Sequence, residues 1–236
     1  MKLIEELSKR LKKPIEKPIC KICFKDIPQN TLYSLFSTPS ICYDCFLKLK
    51  LHLERDKIRN YSFYSLAIYE EPISLHLLNF KENKDIELGG IFLSYYTILL
   101  KTMFKSFNIV YVPSSYEKEK QRGFCHIKEI YKGLDLSFLD ILKKESSFEQ
   151  KKLSREERIR NSALFRIENG DKVTGKKILL VDDVITTGAS ILASIKLLEK
   201  YKPKKIVVLV ILRDGNKEDY YAKRMKNLID RIYASL

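Results

Sequence analysis

The chain has no tryptophan, no apolar run that approaches a membrane span, and no segment built like a secretory leader. Each absence excludes something. A spanning helix needs about 20 consecutive apolar residues, whereas the longest such run, around Ile206–Leu212, is short and strand-like. The opening "MKLIEELSKRLKK" is charged and lacks both an apolar stretch and a small-residue cleavage site. The expectation is therefore a soluble, cytoplasmic protein, not an integral membrane protein. In that compartment the five cysteines are expected to be reduced or metal-bound. Internal repeats and low-complexity tracts are missing as well, which excludes repeat architectures.

Acidic residues are in deficit: 30 Asp and Glu stand against 44 Lys and Arg, for a formal net charge of +14. A charge of this size favours polyanionic partners through steering and counterion release. The basic residues are spread along the whole chain with no basic tail, and Lys, Ile, Asn and Tyr are all plentiful. Composition thus leaves nucleic-acid contact and an AT-rich coding origin as alternative readings.

At 236 residues the chain is long enough for a sizeable core and a small appendage. Leu3, Leu7 and Leu11 space one face of a short amphipathic helix over 1–17. Residues 18–55 form a loop-rich unit with four of the cysteines; within it "LKLKLHLER" alternates like a strand, although a helix continuing from the second cysteine pair fits too. From 61 to 213 strand and helix patterns alternate. "FYSLAIY" and "NIVYVP" predict strands, "ISLHLLNF" a helix, Asp85–Phe107 further helix, "FCHIKEIYKGL" a helix and "LFRIE" a strand. "KKILLVDD" and "KKIVVLVILR" are continuous aliphatic runs, as in strands buried on both faces of a parallel sheet. A helix over 188–201 between them completes a βαβ unit. Tyr221, Met225, Leu228, Ile232 and Tyr233 predict a last helix within 217–236. The fold class is α/β.

"CKIC" and "CYDC" place Cys20, Cys23, Cys42 and Cys45 as two CxxC turns with 18 residues between them. Such turns aim two sulfurs each at one point and together complete a tetrahedral S₄ shell. All four positions are filled by protein, so the Zn²⁺ is expected to be structural, supplying folding energy that so small a unit lacks. Cys125 and His126 are adjacent on their helix and do not face each other; they read as a core cysteine beside a surface histidine.

"KILLVDDVITTGAS" carries the chemistry. Ligands of an open parallel sheet sit beyond the carboxyl ends of its strands. Asp182 and Asp183 are expected at such an end, where carboxylates can accept from vicinal sugar hydroxyls. "TTGAS" then opens a helix whose unpaired N–H groups suit a phosphate. Gly188 permits close approach, Ala189 adds no bulk, and Thr186, Thr187 and Ser190 add hydroxyl donors. Together these describe a ribose 5-phosphate site; capping of the next helix by the aspartates is the plainer alternative.

This run closely resembles the 5-phosphoribosyl-1-pyrophosphate (PRPP) signature of type I phosphoribosyltransferases. The resemblance assigns Asp182 and Asp183 to the ribose hydroxyls and Thr186, Thr187, Gly188, Ala189 and Ser190 to the 5-phosphate. "YVPSSYEKEKQRGF" and "QKKLSREERIRN" further resemble the ComF family of competence proteins, as does a four-cysteine module ahead of the transferase domain. The match covers roughly residues 18–213. It implies a type I phosphoribosyltransferase-like parallel sheet flanked by helices, with a small N-terminal zinc-ribbon-like module. Ser114, Ser115 and Arg122 fall by resemblance in the pyrophosphate loop, with Mg²⁺ accompanying PRPP. Residues 143–161 become a mobile flap offering Arg155, Arg158 and Arg160; "SREE" is itself a capping box, and a solvated charged helix competes with that role. Cys125 stands where the family commonly has asparagine, and "NSALF" is shorter than the family form.

By the same resemblance Thr186 stands where hypoxanthine- and guanine-handling enzymes carry an aspartate, closer to the orotate- and adenine-type pattern, so no acid or base, and no catalytic residue, is identified. Two functions follow from the resemblance. One is a competence-type protein that binds PRPP or a related phosphoribosyl ligand and takes part in DNA uptake, contacting single-stranded DNA and possible uptake-machinery partners. The other is a nucleotide-salvage phosphoribosyltransferase acting on a free base.

Overall fold

The computed structural model describes residues 18–28, 38–144 and 165–215. The two expected terminal helices lie outside these residues, as do Arg155, Arg158 and Arg160 of the expected flap.

Helix α1 (Tyr43–Lys48) follows the second cysteine turn, and the hairpin β1 (Glu54–Ile58) and β2 (Tyr61–Ile68) comes next. The alternating 47–55 stretch is thus divided between a helix and the start of a strand. Helix α2 (Ile73–Glu82) leads to 3₁₀ turns at Ile86–Ile91 and Ser94–Tyr96, then α3 (Thr97–Phe104). The expected continuous helix from Asp85 is instead a 3₁₀ helix through Gly89 and Gly90, interrupted at Phe92–Leu93. A Cβ on Gly90 would stand 2.6 Å from Ser40 Oγ, so glycine lets the cysteine module approach this segment closely. Strand β3 (Phe107–Tyr111), α4 (Tyr116–Arg122) and α5 (His126–Tyr131) follow. Gly123 in the left-handed region (φ 87°) ends α4, which is why α5 starts at His126 and not at Phe124. The strands β4 (Leu142–Lys144) and β5 (Phe165–Ile167) pair with each other, and β6 (Lys177–Ile185), α6 (Ala189–Glu199) and β7 (Lys205–Arg213) complete the chain.

The main sheet runs β1-β2-β7-β6-β3 in space. β1 is antiparallel to β2, and the other three pairings are parallel. The aliphatic runs are explained by coverage on both faces. Leu179, Val181, Val207 and Leu209 face a cluster that includes Leu77 and Phe80 of α2 and Ile127 and Ile130 of α5. Ile178, Leu180, Val208 and Val210 face Ile191, Ile195 and Leu198 of α6. Cys20, Ile27, Ile41, Cys45, Leu49 and Leu51 belong to the first cluster, so the cysteine module packs into the main core. No helix among the described residues is long and apolar enough to cross a membrane.

Candidate functional site

All four parallel strands end at one edge of the sheet, and the loops after β2, β3, β6 and β7 meet there. After β6, Thr186 and Thr187 are exposed and Gly188 is buried at the N-cap of α6. Gly188 holds φ 75°, and a Cβ there would stand 3.0 Å from Ile58 Cδ1, so a side chain would be both strained and crowded. The N-cap Gly188 has no side chain to cap α6, and Thr187 Oγ1 accepts only from the Ala189 N–H, at 3.4 Å, which leaves the other N–H groups of the first turn available to an anion. Thr186, Thr187 and Gly188 line a cavity of about 200 Å³ together with Lys57, Arg213 and Asp56. A second cavity, about 470 Å³, shares Thr186 and is walled by Tyr69, Leu77, Leu78 and Lys81. Lys81, Lys84, Lys118 and Arg122 surround a smaller basic hollow of about 90 Å³.

The ladder of β6 continues through both aspartates to Ile185, so they lie inside the strand and not at its terminus. Consecutive side chains on a strand project to opposite faces, and neither carboxylate lines the three cavities. Asp182 is part-buried and its Oδ1 accepts from the Asp183 N–H at 2.9 Å. Burial, then the charge of Asp183, pushes its carboxyl well above the usual range. Asp183, 6 % exposed, is held by two protein groups on one oxygen. His126 Nε2 lies 2.6 Å from Asp183 Oδ2, and Lys81 Nζ pairs with the same oxygen. Burial alone would raise the Asp183 carboxyl, but the His126 hydrogen bond and the Lys81 charge hold it well below its ordinary value.

His126 overturns the reading of a surface histidine: it is buried at 4 % exposure. Its Nδ1 is 2.9 Å from Arg122 Nη1. A guanidinium can only donate, so Nδ1 accepts and Nε2 carries the proton given to Asp183. Arg122 also donates through Nε to the Lys81 carbonyl at 2.9 Å, which turns its guanidinium inward. Of the other expected pyrophosphate-loop residues, Ser115 caps α4 by accepting from Lys118 N–H at 3.4 Å, and Ser114 is part-buried beside it. Cys125 caps α5 in extended backbone, and burial pushes its thiol up to about 11, as suits a core cysteine.

Lys81 and Tyr131 were not singled out by sequence, and His126 was noted only as a surface residue. Tyr131 is fully buried, and its hydroxyl donates toward the Asp182 carbonyl (2.8 Å) and the Leu209 carbonyl (3.1 Å). The signal for His126 was its spacing: it shares a buried face with Ile127, Ile130 and Tyr131. A polar group on such a face requires a partner.

The four cysteines Cys20, Cys23, Cys42 and Cys45 converge, with all four sulfurs within 4.8 Å of one another. Cys23 Sγ and Cys42 Sγ are 3.7 Å apart. A tetrahedron of sulfurs with Zn–S bonds of about 2.3 Å has edges of about 3.8 Å, so the donor set fits Zn²⁺. Burial opposes the Cys20 thiolate, but N–H groups of Cys23, Cys42 and Ile22 outweigh it and bring the thiol down to about 6. Burial pushes the Cys42 and Cys45 thiols up, so four thiolates together require the charge of a bound cation.

The sequence matches agree with this geometry. Residues 120–235 match the family model described as a phosphoribosyl transferase domain. The competence protein ComFC of Streptococcus pneumoniae is 28 % identical over 172 residues, covering 73 % of this chain and 74 % of that protein. The chain carries a phosphoribosyl transferase domain and is similar to a ComF competence protein. A 51-residue stretch is also 41 % identical to phosphoribosyltransferase domain-containing protein 1 of Xenopus tropicalis, over 21 % of this chain and 23 % of that protein. A solved hypoxanthine phosphoribosyltransferase of Staphylococcus aureus aligns at 16 % identity over 53 % of the ComF-like chain and 63 % of its own, with a TM-score of 0.34. The adenine phosphoribosyltransferase of Saccharomyces cerevisiae aligns at 18 % identity over 72 % and 88 %, with a TM-score of 0.33. Scores this low add nothing to the assignment.

Proposed function

We propose that this ComF-like protein binds PRPP or a related phosphoribosyl ligand with Mg²⁺ and acts in competence-linked DNA uptake, contacting single-stranded DNA. The observation that carries the ligand reading is the Thr186–Ser190 loop. It closes a central parallel strand, opens α6 without a side-chain cap, and borders a cavity also lined by Lys57 and Arg213. The 5-phosphate takes the loop N–H groups and the Thr186, Thr187 and Ser190 hydroxyls. The family resemblance assigns Asp182 and Asp183 to the ribose hydroxyls, although neither lines these cavities and Lys81 and His126 both hold Asp183 Oδ2; it assigns Ser114 and Ser115 to the diphosphate end. Arg122, committed to the Lys81 carbonyl and His126, supports that end from behind. Mg²⁺ supplies charge neutralisation on the diphosphate when bound. These groups bind and orient; no acid or base among them is assigned.

The DNA reading is supported by the relative, the net charge of +14 and two aromatic rings on the cysteine module, Phe24 (77 % exposed) and Tyr43 (60 % exposed). Exposed rings stack on bases without sequence preference. One observation favours the salvage alternative: the cavity of about 470 Å³ beside Thr186 has the apolar walls Leu77 and Leu78 and the ring of Tyr69, a suitable berth for a planar base.

Calorimetric titration with PRPP and Mg²⁺ tests the core of the proposal. Binding is expected for the wild type, with no detectable heat for Asp182→Ala/Asp183→Ala in a folded protein. Retained affinity in that variant refutes the assignment. Salt-dependent single-stranded DNA binding without pyrophosphate release across a panel of bases selects the competence role; turnover with one base and no DNA affinity selects salvage.

A further inference from the structure

Two groups that hold Asp183 come from far along the chain, and one of them is a histidine. His126 Nε2 and Lys81 Nζ both meet Asp183 Oδ2, and among the described residues no donor is placed on Oδ1. The ring is fixed from its other side by Arg122 at 2.9 Å. Arg122 is itself locked to the Lys81 carbonyl, so α2, α4, α5 and β6 are closed into one ring of contacts. We infer that His126 is a positioning residue of the phosphoribosyl site: its neutral Nε2–H ring, set by Arg122, aims the Asp183 carboxylate at the ligand, and ligand affinity falls when the ring gains a proton. This deepens the phosphoribosyl reading and rests on it.

The physical reason is the donor pattern. A protonated imidazole donates from both nitrogens, so Nδ1–H would confront the Arg122 N–H donor. The ring would have to turn or withdraw, and Asp183 would lose a hydrogen bond of fixed direction inside a buried site. The charged and titratable groups around the ring are Asp183 and Asp182 on β6, Lys81 and Glu82 on α2, Arg122 on α4 and Tyr131 on its own helix. Burial lowers the His126 pKa below 6.5; the Asp183 hydrogen bond and charge oppose that, and Lys81 and Arg122 add to it. The neutral ring is therefore the form present above that pH, and its contribution is lost as pH falls toward the lowered value.

Glutamine reproduces the arrangement without titrating, since its amide nitrogen can donate to Asp183 and its oxygen can accept from Arg122. PRPP–Mg²⁺ affinity is measured from pH 5 to pH 8 for the wild type, His126→Gln and His126→Leu, with thermal unfolding recorded at each pH. Protonation of the ligand itself is common to all three, so differences between the profiles report His126. At pH 8 His126→Gln is expected within about threefold of wild type and His126→Leu weaker by about tenfold or more, as for a lost hydrogen bond to a charged group. Toward pH 5 the wild type is expected to lose about tenfold more affinity than His126→Gln. The chain has only three histidines, so imidazole nitrogen NMR can assign His126 and is expected to show the Nε2–H tautomer at pH 8. Parallel profiles for wild type and His126→Gln, or an Nδ1–H tautomer, overturn the inference while leaving the ligand reading intact. Absence of PRPP binding by the wild type at every pH overturns both.

Discussion

Replacing Tyr131 by phenylalanine removes one oxygen from the centre of the protein and nothing else. The ring is fully buried and stays in place, so no cavity term arises. The hydroxyl has a single proton facing two carbonyls, Asp182 at 2.8 Å and Leu209 at 3.1 Å. It makes one full hydrogen bond and shares a weaker one, tying α5 to the adjacent strands β6 and β7. Each carbonyl has a second lone pair, so neither loses all of its hydrogen-bonding capacity on mutation. The expected loss is about 1–2 kcal/mol, within the cost of unsatisfying a buried acceptor. For a chain of this size that lowers the melting temperature by roughly 3–6 °C. Urea unfolding followed by far-ultraviolet circular dichroism, at constant zinc, measures the free energy, with the thermal scan alongside. Tyr131→Leu, which adds lost packing, is expected to be clearly worse. Equal stability of wild type and Tyr131→Phe would refute the claim that this hydroxyl ties the helix to the sheet.

Two further outcomes follow from the geometry. Cys45→Ser is expected to abolish stoichiometric zinc, measured by mass spectrometry of the purified protein. It is also expected to lower the melting point of the whole chain and not only of a local unit, because Cys20, Cys45, Leu49 and Leu51 share the core under the sheet; an unchanged melting point would show that the metal site is energetically separate. Gly188→Ala forces a β-carbon onto a left-handed backbone (φ 75°) and against Ile58 Cδ1. A loss of about 1–2 kcal/mol in urea unfolding is expected, and no loss would place that loop in a different conformation.

Much of this molecule is determined locally. Continuous aliphatic runs require strands covered on both faces, two CxxC turns at this spacing require a shared metal point, and "TTGAS" after a buried strand requires an open helix N-terminus. Each depends only on neighbouring residues and on backbone sterics and hydrogen bonding, which is why each was legible in the sequence. Helix boundaries were less so: the expected helix over Asp85–Phe107 begins as 3₁₀ turns and becomes an α-helix only from Thr97, with Ser40 of the cysteine module packed against Gly90. The surroundings of Asp183 were not legible at all. His126 stands 57 positions away, and Lys81, which shares the same carboxylate oxygen, is further still. Periodicity marked His126 as lying on a buried face, but which partner would satisfy it depends on how α2, α4 and α5 cross the sheet. Side-chain chemistry along the chain fixed what each element could offer. Only the packing of elements distant in sequence decided that a histidine and a lysine would close on one aspartate, with an arginine behind the histidine, because a buried charge must find its partners wherever the fold brings them.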